Sequence, residues 1–187
     1  MHFLHKILVH IPSAITADEY TSREEILSAV KNHARNETES FYEQAFDWRE
    51  DQSAGRWEAE YPQQAYVASD DLEWFMKELA EVQTQQKGEI DWAVAQLTSA
   101  VGIDLKHIVE GLWNRDGRNF DPTKSDGISC MAAFYLRNIA DALYGTYRCD
   151  SYFYNTHDYT ARLYQSDLDM IRQEPENWAL VMFDYHY

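Results

Sequence analysis

The chain has 187 residues, 45 % of them apolar and 14 % aromatic, and a formal net charge of −16. So much aromatic and branched material excludes the disordered acidic class, because it can offset the entropy of folding, and the length suffices for one buried core. The acidic balance argues against direct binding to nucleic acid or anionic lipid, and no apolar run reaches the roughly 18 residues a membrane span needs. Cys130 and Cys149 form no CxxC pair and no secretory signature precedes them, so reduced thiols in a cytoplasmic protein are expected, without a thiolate zinc site.

In chain order, Phe3 to Ile11 is predicted as a strand that ends at Pro12. Thr21 with Glu24, or Ser22 with Glu25, offers a capping box that starts a helix. Ile26, Leu27, Val30 and Ala34 fall at helical spacing, and Phe41, Ala45 and Phe46 extend that face, as one helix to about Trp48 or as two with a break near Asn36. Residues 49–69 read as a structured loop with a short strand at Gln64–Ala68. Ser69-Asp70-Asp71 starts a helix whose stripe is Leu72, Phe75, Met76, Leu79 and Val82, with Gly88 as its break. A further helix is predicted from Glu89 through Ala100, and another capped by Asp104 with Leu105, Ile108, Val109 and Leu112 on one face. Arg115–Ser125 is a loop by composition.

Ser129 to Tyr144 is a predicted buried helix, followed by Gly145. Tyr152–Tyr154 and Tyr159–Tyr164 read as strands around a turn at Asn155–Asp158, Ser166–Gln173 as a short helix, and Trp178–Tyr185 as a strand apolar on both faces and therefore central. The expected fold class is α+β: a small, mostly antiparallel sheet from both chain ends with a helical middle packed on it, forming a single domain over 1–187 with an acidic helical lobe at about 36–91.

No P-loop, dinucleotide-binding, nucleophile-elbow, zinc-protease or EF-hand motif is present, so no cofactor or metal is expected and the chain is not read as an enzyme. Weaker arrangements remain. Asp104, His107 and Glu110 share a predicted helix edge, where a solvated face with an N-cap is the simpler account than a metal site. Cys149, Asp150 and His157 lie close in sequence, but in an acidic, aromatic setting that raises a thiol pKa, so a structural cysteine and a turn histidine are preferred to a nucleophilic pair. Asp184 and His186 share a face of the last strand and are expected at an exposed strand end. His5 and His10, at odd spacing, point to opposite faces. Tyr152, Phe153, Tyr154, Tyr159 and Tyr164 read as sheet core rather than as a base-stacking platform, which needs a positive groove.

The charge is concentrated between Asn36 and Asp91, where fifteen carboxylates face four basic residues, a net of −11. Glu37, Glu39, Glu43, Asp47, Glu50 and Asp51 decorate the end of the first helix and its exit, Glu58 and Glu60 the loop, and Asp70, Asp71, Glu73, Glu78 and Glu81 the next helix. If those helices pack side by side, their carboxylates form a ridge. Carboxylates one helical turn apart are about 5 Å apart, so two rows approach the one charge per roughly 1.7 Å of duplex DNA. Such a ridge fits the Lys/Arg cleft of a DNA-binding protein, with Trp48, Trp57 and Trp74 as aromatic anchors.

The blocks ETESFYEQAFDWRE, SYFYNTHDYTARLY and WALVMFDYHY resemble those of uncharacterised proteins on conjugative and phage elements of gut Firmicutes. Small acidic proteins of such elements include antirestriction and anti-CRISPR proteins, some of which mimic DNA. The resemblance implies an anti-defence role and a basic, nucleic-acid-binding defence protein as partner, although the chain carries no motif of the known antirestriction family. The expected function is therefore inhibition of such a partner, with an acidic adaptor lacking any nucleic-acid-related target as the alternative. An unrecognised hydrolase or metalloenzyme using His157 or His107 is a third class.

Overall fold

The computed structural model describes residues 1–16, 22–41, 46–99, 125–148 and 151–186, with the side chains of 125–129 left aside. They fall into two compact units, one formed by Met1–Gln83 with Gly145–Tyr187 and the other by Thr84–Tyr144. The fold class is α+β, as the alternation of apolar strands and helical stripes implies.

The first unit is built on a five-stranded sheet of β1 (His2–His10), β2 (Trp48–Glu50), β3 (Ala65–Val67), β4 (Phe153–Asn155) and β5 (Trp178–His186). β5 is central. It pairs antiparallel with β1 along one edge, from His2 opposite His186 to His10 opposite Trp178, and with β2 and β3 along the other. β4 closes the far side of β1 as the parallel pair. An apolar run buried on both faces is what a central strand requires, and every residue from Trp178 to Tyr185 is buried.

Two helices cover opposite faces of this sheet. On α2 (Arg23–Glu37), Val30 and Ala34 pack with Ile7, Val9, Val181 and Phe183. On α3 (Leu72–Ser99), Phe75, Leu79 and Val82 pack with Leu8, Leu180, Met182 and Phe153. Successive residues of a strand point to opposite sides, so membership of the two clusters alternates along β1 and β5. Short α1 (Ser13–Thr16) follows β1, and α5 (Gln165–Gln173) adds Leu168 and Ile171 to the α3 side.

Local chemistry explains the boundaries. Ser22 Oγ accepts from the Glu25 amide and Glu25 Oε2 from the Ser22 amide, the second of the two predicted capping boxes. The helix stops at Thr38, whose hydroxyl donates back to the Ala34 carbonyl at 2.8 Å, so the chain does break near Asn36; residues 42–45 of the expected continuation lie outside the described residues, and Trp48, where it was expected to end, belongs to β2. Asp71 Oδ1 accepts the Trp74 amide at 3.0 Å and starts α3.

Three expectations are corrected. Gly88 does not break a helix: α3 runs through it, and a glycine in a helix interior costs only about 1 kcal/mol against alanine. Tyr159–Tyr164 is not a strand: the chain makes a single bridge, Asn155 with Thr160, and turns away at Tyr159, whose φ is 52°. The helix expected from Ser129 begins at Ser125, as α4 (Ser125–Tyr144). The predicted helix capped by Asp104 and most of the 115–125 loop lie outside the described residues, as do Glu43, His107, Cys149 and Asp150.

In the second unit, Ala93 and Ala132 are buried and Trp92 meets Tyr135 edge to face, 5.4 Å between ring centres. No helix among the described residues is long and apolar enough to cross a membrane.

Candidate partner-binding surface

The predicted acidic ridge is not formed. α2 and α3 cover opposite faces of the sheet, so the carboxylates of the first helix and of the second cannot make one double row. The sequence showed two acidic helices but not the strand alternation that separates them.

Several of the predicted contact residues are instead held by internal partners. Arg49, with a side chain only 2 % exposed, is the main organiser. Its guanidinium donates to Thr38 Oγ1 at 2.9 Å, to Glu39 Oε2 at 3.0 Å and to Asp51 Oδ1, and it lies 5.0 Å over the Phe183 ring. Buried, it requires these anions, since an unpaired charge there is strongly unfavourable. Asp70 pairs with Arg23 at the exposed start of α3. Glu50 accepts the Gln52 amide at 2.7 Å, and Glu37 is half-buried near Tyr154, whose hydroxyl pKa is raised by burial and then by that carboxylate.

Glu78 is buried, 6 % exposed, and bridges two elements: Lys6 Nζ donates to its Oε2 at 2.6 Å and the Tyr61 hydroxyl at 3.0 Å. Lys6 lies on the same face of β1 as Leu4 and Leu8, the only sequence-level sign that a buried anion awaits it. The Tyr61 pKa is pushed up, by burial first, then by Glu78, with Glu60 and Glu81 adding to it. Glu60 and Glu81 therefore converge on the same spot as Glu78.

What remains exposed in the acidic stretch is narrower than the lobe. Glu58, Glu60, Glu73 and Glu81 are exposed and have no basic side chain within ion-pair distance among the described residues. Asp71 is exposed beyond its capping bond. The aromatic anchors divide. Trp57 and Trp74 are half-buried against the α3-side core, and Trp74 tilts onto Tyr66 at 4.6 Å between ring centres. Trp48 is more exposed, at 41 %, and meets His2 edge to face.

Asp184 corrects another expectation. It is not at an exposed strand end: it is 1 % exposed, 3.0 Å from His2 Nδ1, and accepts the Arg56 amide at 3.1 Å. Its neighbour is Gly55, at φ 57°, where an added Cβ meets the Asp184 side chain at 2.4 Å. His186 lies 2.8 Å from Asp47 Oδ1 and holds the Asp47 pKa below the usual carboxylate range. The two pairs sit side by side, with His2 and His186 ring centres 5.0 Å apart. Among the described residues, no group of three or more His, Cys, Asp or Glu side chains has the arrangement of a metal site.

His5 and His10 do lie on opposite faces: His5 against Tyr147 and Tyr185, His10 against Trp178 and His157. The tyrosine-rich segment also divides, with Phe153 and Tyr154 buried in the core and Tyr159 71 % exposed. No family model matches this chain, and no curated protein or solved structure matches it.

Proposed function

We propose that this protein binds and inhibits a basic protein, of the kind that binds nucleic acid, through the acidic surface at residues 58–81. The observation that carries this is the set of exposed carboxylates Glu58, Glu60, Glu73 and Glu81 left after the internal ion pairs are made, next to half-buried Trp57, Tyr66 and Trp74. Anions beside partly buried aromatic rings suit a Lys/Arg surface, through ion pairing and cation–π contact. The resemblance of its sequence blocks to proteins of mobile elements supports a host defence protein as the partner.

The separation of α2 and α3 favours one further reading, an acidic adaptor whose target does not bind nucleic acid, since a single patch lacks the double row that matches a duplex. Capture of partners from a host lysate, with and without excess duplex DNA and over a salt series, separates the two. Inhibition of a nucleic-acid-binding protein requires that DNA displace the partner and that affinity fall steeply with salt, as counterion release dictates. Glu60→Lys/Glu73→Lys/Glu81→Lys removes binding while leaving the far-UV spectrum unchanged. Binding that resists both DNA and salt removes the first reading, and binding that survives the triple reversal removes the surface.

A further inference from the structure

Two histidine–carboxylate pairs sit side by side at the end of the sheet where β1 begins and β5 finishes. His2 on β1 lies directly opposite His186 on β5, and His186 lies directly opposite Trp48 on β2. Residues directly opposite in paired strands project from the same face, so the two imidazoles and the indole form one row across three strands. The imidazole rings are 5.0 Å apart between centres, tilted by 57°, and both are partly exposed.

Each ring is tied down by one nitrogen. His2 Nδ1 is 3.0 Å from Asp184 Oδ1, and His186 Nδ1 is 2.8 Å from Asp47 Oδ1. An ionised carboxylate only accepts, so in the neutral rings each Nδ1 carries the proton and each Nε2 the lone pair. The Asp184 carboxylate is itself fixed, because it is buried and its other oxygen accepts the Arg56 amide at 3.1 Å. Neither Nε2 has a hydrogen-bond partner among the described residues.

A histidine that ligates a metal ion characteristically donates its other ring N–H to a carboxylate, which fixes the tautomer and raises the basicity of the ligating nitrogen. Both rings here have that support. Two imidazoles bound through nitrogen at about 2.0–2.1 Å to one tetrahedral ion have ring centres about 5 Å apart. The observed separation is the same. Asp47 and Asp184 also place two negative charges behind the rings, which a divalent cation neutralises. The chain holds a second histidine pair for comparison. The His10 and His157 rings are 5.1 Å apart, but both pack on Trp178, and Asp158 Oδ1 stays 3.9 Å from His157 Nε2, so no carboxylate fixes either tautomer among the described residues.

We propose that His2 and His186 bind one divalent transition-metal ion of the zinc type through their Nε2 atoms, with Asp184 and Asp47 as positioning residues. No third His, Cys, Asp or Glu ligand converges with them among the described residues, so the remaining positions of the ion are taken by water. Neutral imidazole suits Zn²⁺, Ni²⁺ and Cu²⁺, whereas Mg²⁺ and Ca²⁺ call for oxygen ligands. Bound there, the ion clips the start of β1 to the end of β5, and it stabilises the folded chain because the unfolded chain does not hold the two rings together. The site uses none of the residues of the acidic surface at 58–81 and stands or falls without it.

The test is a titration of the intact, untagged ¹⁵N-labelled chain with zinc chloride at pH 7.5 and constant ionic strength, with magnesium chloride as the control. About one equivalent of Zn²⁺ is expected to saturate the chain, with shifts centred on the His2 and His186 rings and the neighbouring Trp48 indole, and to raise the melting temperature. Mg²⁺ at the same concentration does neither. His2→Gln and His186→Gln each keep a donor for their carboxylate, so the metal-free variants retain the backbone spectrum, and each abolishes saturation. Asp47→Asn, at an exposed position, keeps both rings and lowers the affinity about tenfold or more. His10→Gln/His157→Gln leaves the affinity unchanged. Shifts centred on His10 and His157, equal responses to Zn²⁺ and Mg²⁺, saturation that survives His2→Gln/His186→Gln, an unchanged affinity in Asp47→Asn, or no saturable shift up to about 1 mM Zn²⁺ overturns the proposal.

Discussion

His5 tests the packing of the sheet most directly, because it is a histidine with nowhere to put a proton. It is 0 % exposed, neither ring nitrogen has a hydrogen-bond partner, and its neighbours are the Tyr147 and Tyr185 rings. Burial, and then the charge of nearby Arg49, lowers its pKa from 6.5 to about 3. In the unfolded chain the same imidazole protonates near its ordinary value. The unfolded state therefore binds one more proton than the folded state between those two values, and stability rises with pH there by about 1.4 kcal/mol per unit. The contribution is fully present above pH 6.5 and is lost as pH falls toward about 3, an acid sensitivity of about 5 kcal/mol over the whole interval. In His5→Phe the ring stays and the titration goes. Any overpacking penalty, about 1–3 kcal/mol, offsets the curve without tilting it. Urea unfolding of both proteins at intervals from pH 7.5 to 4 gives the difference in stability as a function of pH. That difference shifts in favour of the variant by about 1.4 kcal/mol for each unit below 6.5. Parallel profiles would refute the placement of a neutral, unsolvated His5 between the rings.

Asp167 acts in the opposite sense. Burial and then the neighbouring Asp158 raise its pKa to about 6, so its contribution is fully present below the unfolded value of 3.8 and is lost as pH rises through about 6. Asp167→Asn is expected to gain on the wild type over that window, seen as a rising difference in urea midpoint. Lys6→Met leaves Glu78 buried and unpaired, for a loss of about 3–5 kcal/mol, whereas Lys6→Met/Glu78→Gln, which keeps an acceptor for the Tyr61 hydroxyl, recovers most of it. Thermal melts of the three proteins check both halves of that statement. Gly55→Ala forces a Cβ into the Asp184 side chain at a positive φ and is expected to lose about 2 kcal/mol or more, measured by denaturant unfolding, while Gly88→Ala, with open space around it, stabilises α3 by up to about 1 kcal/mol.

The elements that patterning alone could reach were those whose local and global preferences agree. β5 is apolar on both faces and central, and Ser22–Glu25 is a self-contained capping box. The misread elements are those in which tertiary contacts outweigh a local signal. Gly88 carries a break signal worth about 1 kcal/mol, too little to interrupt a 28-residue helix. Tyr159–Tyr164 has the residues of a strand, but Thr160 Oγ1 donates to the Gly145 carbonyl at 3.0 Å and its backbone pairs only with Asn155, so the segment bends. The acidic surface was legible as a number and not as a shape. Which carboxylates face solvent depends on Arg49, Lys6 and Arg23 reaching across 10, 72 and 47 residues of sequence to Glu39, Glu78 and Asp70, and no local spacing encodes that.

The charge still separates along the fold, though along a boundary the sequence did not mark. The sheet unit, residues 1–83 and 145–187, carries twenty-four carboxylates and ten basic residues, a net of −14, while residues 84–144 carry eight and six, a net of −2. Among the described residues, exposed large apolar side chains weigh the other way: Trp92, Val94, Met131, Phe134, Leu143 and Tyr144 belong to the second unit, against Met1, Trp48 and Tyr159 in the larger first one. A field of this sign over the sheet unit speeds encounter with a basic partner, but it does not hold one. Affinity depends on the few groups that are desolvated on contact, which at the surface proposed over 58–81 would be the carboxylates beside Trp57 and Trp74. Two classes of substitution therefore have different kinetic signatures. Reversing Asp169, an exposed acid of the sheet unit on α5, slows association and leaves dissociation unchanged, whereas Trp74→Ala accelerates dissociation at every salt concentration. Equal effects of both on the association rate alone would mean that the sheet unit attracts its partner by field and that the 58–81 surface makes no contact of its own.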